Sequence, residues 1–166
     1  MASRLTAVVV TPPIDANTTD QRAELGLRAP TSDGGEVMYV KAASTIAQYD
    51  ACVVLNSSSA TGASMVAVPV TTTNVLTGSV LGVAQNAITS GNYGWLQLRG
   101  YDMRVSTLIA CQPNVPLFTT STAGALDDAV VTAGYCIGIT LKSSATSASA
   151  PPCTMTGAVV RTYAGG

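Results

Sequence analysis

V-L-G-V-A-Q-N-A-I-T-S-G-N-Y-G-W-L-Q-L-R-G, residues Val80 to Gly100, is the stretch on which the fold of this chain turns. It reads as strand, turn, strand. Val80, Leu81 and Val83 flank Gly82 in a short apolar run. Ser90, Gly91 and Asn92 supply turn chemistry, because Gly and Asn adopt positive φ at little cost. Trp95 to Arg99 resumes an extended pattern that is expected to stop at Gly100. Trp95 is the single Trp of the chain, and Tyr93 stands two residues before it, so both rings belong on one face of a strand.

The same pattern recurs on either side. In E-V-M-Y-V-K-A-A, Glu36 to Ala43, Val37, Tyr39 and Lys41 alternate with Met38, Val40 and Ala42, the period of a strand. A turn cluster with an Asp33-Gly34 step precedes it. Ala51 to Leu55, Met65 to Val70, Tyr101 to Thr107, Val115 to Thr119, Tyr135 to Leu141 and Cys153 to Arg161 also read as strands. Pro69 assigns the second of these to a sheet edge. Asn56 to Ser64, Ser121 to Asp128 and Lys142 to Pro152 read as loops. Ile14 to Arg28 reads either as a helix, capped by Asn17, Thr18 or Thr19 and ended by Gly26, or as an irregular loop. Many short strands without a long helix predict an all-β fold, a compact β-barrel or β-sandwich of short antiparallel strands. It is expected over residues 29–161, with an extended N-terminal arm at 1–28 and a tail at 162–166.

Two parts of the chain resemble each other. Ile46 to Val54 (I-A-Q-Y-D-A-C-V-V) matches Ala110 to Phe118 (A-C-Q-P-N-V-P-L-F) in running from a small residue and Gln through a turn into a strand. Val80 to Ala84 (V-L-G-V-A) matches Cys136 to Thr140 (C-I-G-I-T), and each is followed by a loop and a closing strand. A duplicated β unit is the implied origin, with Gly82 and Gly138 marking bulges or close strand approaches.

Composition narrows the function. Of 166 residues, 47% are hydrophobic but only 10% charged, where soluble domains carry about 25%. No residue between Asp50 and Arg99, or between Arg104 and Asp127, is charged. A net charge of −1 gives no electrostatic footprint for nucleic acid or an anionic membrane. So neutral a surface reads either as an ordinary Ser/Thr-rich β surface or as one covered by copies of the chain or by a larger assembly, since local charge keeps monomers apart. The N-terminal apolar run is too short for a secretory signal, so synthesis in the cytoplasm is expected. The chain has no His, which removes Ser-His-Asp and Cys-His catalysis. Asp127-Asp128 is weighed as a carboxylate pair or cation ligand and read as a solvated turn. Cys52, Cys111, Cys136 and Cys153 lack C-x-x-C spacing and read as buried free thiols. No catalytic residue, metal or cofactor is expected. Tyr93 and Trp95 read as a core or hairpin-face pair, or as a subunit contact.

Five motifs, in order, carry a resemblance. They are D-G-G-E-V-M-Y-V-K-A-A (Asp33 to Ala43), I-A-Q-Y-D-A (Ile46 to Ala51), V-L-G-V-A-Q (Val80 to Gln85), S-G-N-Y-G-W-L-Q-L-R-G (Ser90 to Gly100) and A-G-A-L-D-D (Ala123 to Asp128). Together the chain resembles the capsid decoration, or cement, proteins of tailed bacteriophages. The resemblance implies a β-rich, often trimeric virion protein on the outer capsid face. Such a protein bridges subunits of the major capsid protein and has no catalytic residues; the charge balance separately predicts no nucleic-acid or membrane partner. Residues 1–28 have no counterpart in the family. They are expected to reach the capsid or a sister subunit by strand addition through Leu5, Ala7, Val8, Val9 and Val10. The alternatives are a fibre, spike or tail component with host-glycan-binding loops, and a glycan hydrolase using Asp127 and Asp128.

Overall fold

Alternation along Glu36–Ala42 is resolved by burial on both faces of that strand. The computed structural model describes residues 17–59, 62–129 and 134–162. Among these are ten strands and no helix: β1 Arg28–Pro30, β2 Glu36–Ala42, β3 Ala51–Ser59, β4 Gly62–Pro69, β5 Leu81–Val83, β6 Tyr93–Arg104, β7 Leu117–Thr119, β8 Leu126–Asp127, β9 Gly134–Leu141 and β10 Pro152–Thr162. The fold is all-β, as the sequence predicts.

Strand β2 pairs with both β4 and β6, so the order β2-β4-β3-β5-β6 returns to β2 and closes a five-stranded barrel. All its pairings are antiparallel except β2 with β4. Closure removes the open edges through which flat sheets aggregate. Met38, Val40 and Ala42 join Cys52, Ala67, Leu96 and Leu98 in one apolar core. Val37 and Tyr39, on the opposite face of β2, are also buried: Val37 packs with Ala29 and Trp95, and the chain from Arg22 to Leu27 is tied over Tyr39. There Gly26 N–H donates to Tyr39 O, Tyr39 N–H donates to Leu27 O, and Thr18 bridges Tyr93. This part of the expected arm is thus a loop strapped onto the barrel. The tail likewise begins inside β10, which ends at Thr162. Leu5, Ala7, Val8, Val9 and Val10 lie outside the described residues.

The repeat has a topological counterpart. Strand order continues β4-β3-β5-β6-β10-β9-β7-β8, so β3–β6 and β7–β10 follow one spatial plan and meet antiparallel at β6·β10. The copies are not in identical register. Val53 faces Leu81, but its counterpart Leu117 faces Cys136 rather than Ile137. Bridges from Thr107 to Leu126 and to Ser149 curl the second unit on itself. Its core unites Cys136, Ile139 and Val160 with Ala51, Val53, Leu81 and Val83 from the outer side of the first barrel.

Several boundaries differ from the sequence reading. Gly100 does not end a strand: β6 runs on to Arg104 because β10 pairs alongside, Met155 facing Gly100 and Cys153 facing Met103. The extra β6 residue is absorbed at Asp102, whose φ is 61°. Strand β4 is internal, not an edge; Pro69 is tolerated because pairing with β2 ends at Ala42↔Ala67. The Ser-rich stretch expected as a loop is a ladder from Asn56↔Met65 to Ser59↔Gly62, since backbone pairing needs no apolar alternation. Ser121 to Asp128 is a loop except for the two residues of β8.

Candidate functional site

The outer face of β2 and β6 gathers the aromatic residues singled out in the sequence. The Tyr39 ring lies between them, 6.1 Å from Tyr93 and nearly parallel to it, and 4.9 Å from Trp95 at 57°. Lys41 Nζ sits 5.5 Å from the Tyr93 ring centre, a cation–π contact. Register explains the cluster: Tyr39 faces Trp95 and Lys41 faces Tyr93 across the β2·β6 pair. Arg22 N–H donates to Tyr39 Oη at 3.0 Å, tying the overlying strap to the cluster. Tyr93 and Trp95 remain only partly buried, so each keeps an outward rim. Asn17 marks where the described chain begins, against the turn before β6. Its Oδ1 accepts from Asn92 Nδ2 and from Thr89 N–H.

A second cluster lies at the far end of the same pair of strands. Glu36 Oε1 is 3.4 Å from Arg28 Nη1, and Glu36 Oε2 is 3.6 Å from Arg99 Nε. These three residues line a cavity of about 320 Å³ with Ala29, Pro30 and Gly35, and an adjoining one of about 130 Å³. The smaller cavity lies where the two β units meet, with Leu81 and Leu98 on one side and Gly157, Ala158 and Val159 on the other. Sequence reading passed over this cluster because its members are 71 residues apart at the extremes and share no motif.

The acidic pair is not the solvated turn the sequence suggests: Asp127 lies in β8 and both carboxylates are half-buried, because they accept hydrogen bonds from the adjacent Cys111 and Gln112. Asp128 Oδ2 accepts the Gln112 N–H at 2.8 Å and Asp127 Oδ1 accepts the Asp128 N–H at 2.9 Å. Cys111 Sγ donates toward Asp127 Oδ1 at 3.4 Å, which puts three ligand-type atoms within 4.8 Å of one another. All four cysteines are buried and free. Burial pushes every thiol up, Cys136 and Cys153 to about 12. No helix among the described residues is long and apolar enough to cross a membrane.

No family model matches this chain. No curated protein and no solved structure matches it either. The surface is therefore the remaining guide. Exposed positions between Ala51 and Leu98, among them Thr73, Leu76, Thr77, Ala87, Thr89 and Ser90, are all uncharged. Leu76, Tyr101 and Ile109 stand out at 70%, 68% and 66% exposure.

Proposed function

We propose that the protein is a structural virion protein that binds the outer surface of a bacteriophage capsid and stabilises the shell by bridging major capsid subunits. The observation that carries this reading is the long uncharged surface with large apolar side chains exposed on it. Such a surface loses little solvation energy on being covered, which suits permanent docking in an assembly. The family-like motifs add support, since they contribute β2, β5 and the first half of β6, together with the turn into β3, around one barrel. Association with copies of itself, as a homotrimer, belongs to the same proposal. Residues 1–16 are proposed as the arm that reaches the shell.

Mixing the purified protein with undecorated heads tests the proposal. Binding by co-sedimentation and a higher head disruption temperature are expected, and a chain lacking residues 1–16 should bind more weakly. If the protein neither binds heads nor raises that temperature, the cement reading fails. Binding to host cells with none to heads would point to a fibre or spike component.

A further inference from the structure

Arg28 and Arg99 converge on a single carboxylate at the junction of the two β units. Their side chains are 51% and 60% exposed, while Glu36 between them is 24% exposed. A guanidinium carries five N–H donors in a planar fork. Here Arg28 uses one, in a 3.4 Å bond to Glu36 Oε1. Arg99 makes only the 3.6 Å ion pair, and its other donors have no partner among the described residues. Asp33, in the turn beside the cavity, is engaged locally: its Oδ1 accepts from the Thr31 hydroxyl and the Gly35 N–H. Two cations thus face one carboxylate, with most of their donors unspent.

The surroundings make this more than a surface pair. Gly157 has φ +94°, and a Cβ there would lie 3.1 Å from Arg99 Nε. The missing side chain leaves room for the guanidinium to lie across the β10 irregularity. Leu81, Leu98, Ala158 and Val159 line the smaller cavity beside it. An apolar wall lowers the local dielectric and strengthens attraction between a bound anion and the guanidinium. It also offers contact for an alkyl chain. The cavities are open and small, of a size for one side chain or a short acid. Arg is the side chain best matched to a carboxylate, through paired N–H···O bonds.

We propose that the Arg28–Glu36–Arg99 cleft is a binding site for an organic carboxylate, with Glu36 occupying part of it as an internal competitor. The site does not depend on the capsid reading. Two probes distinguish the source of the ligand: glutarate as a free short acid, and a terminally blocked Ala-Glu-Ala peptide as a protein side chain. Each is titrated into the full chain, following the Arg Nε–H signals and the amides of Gly34, Gly35 and Gly157 by NMR. Saturable shifts with glutarate alone assign the site to small acids, and shifts with the peptide as well assign it to acidic side chains. Arg99→Gln is expected to weaken binding roughly ten-fold, as loss of a charge-assisted pair does. Glu36→Gln is the deciding variant: removing the competitor should tighten binding, whereas a purely structural trio would bind nothing in either form. No saturable shift with either probe overturns the site. So does weaker binding by Glu36→Gln in a protein whose spectrum shows it folded, or an equal response to inorganic phosphate.

Discussion

Gly124 and Asp50 show how single residues hold the junction of the two units. Gly124 has φ +78°, and a Cβ there would run into the Asp50 carboxyl group. Gly124→Ala therefore meets both backbone strain and a steric clash, and a loss of about 2–4 kcal/mol in urea unfolding is expected. Asp50 itself is buried, and its Oδ2 accepts the Ala47 N–H at 2.8 Å. Burial raises its pKa, and the Ala47 hydrogen bond offsets part of that rise. A raised carboxyl pKa means that the folded state favours the neutral acid. Its stabilising contribution is full below the ordinary carboxylate range and is lost as pH rises through the raised value. Asp50→Asn should remove that slope, so melting temperatures followed from acid to neutral pH should show the variant gaining on the wild type as pH rises. The four buried thiols make a separate statement. With pKa values pushed up by burial, they should resist alkylation in the native protein and react only on unfolding, as mass spectrometry would show.

At the scale of elements, the two glycines matched in the repeat serve different ends. Gly82 sits in β5 where a Cβ would approach Leu96 Cβ at 2.9 Å, so only its small size matters. Gly138 has φ +87° opposite Gly157, where the β9·β10 register shifts. It marks a bulge, Gly82 a close approach. Gly82→Val should overpack the barrel and cost about 1–3 kcal/mol or prevent folding; an unchanged melting temperature would remove the role. The strap over β2 is held partly by the Tyr39 hydroxyl. Tyr39→Phe should cost about 1 kcal/mol and speed hydrogen exchange at Arg22, leaving the barrel amides protected.

For the whole molecule, the shared core decides cooperativity. Ala51, Val53, Leu81 and Val83 belong to strands of the first barrel but pack with the second unit. The units should unfold together, so Trp95 fluorescence and NMR signals of Phe118 should trace one denaturant transition. Separate transitions would mean that the duplicated units are independent. Strand pairing was readable in outline because period-2 alternation marks which residues share a face. Glu36 to Ala43, Tyr135 to Leu141 and Cys153 to Arg161 each lie within one residue of an observed strand's limits. Composition misled at Asn56 to Ser64, where Ser and Gly suggest a loop but backbone ladders form regardless.

The sequence alone determined an all-β chain, its strongest turns, its duplicated plan and the burial of its cysteines, because these follow from local alternation, turn residues and neighbouring side chains. Only tertiary structure decided that the second of the two strands read in Val80 to Gly100 runs past Gly100 to Arg104. Only it decided that both faces of β2 are covered, and that Arg28, Glu36 and Arg99 meet. Those outcomes depend on which strands lie beside one another, and register between distant segments is set by closure of the barrel and by β6·β10 pairing.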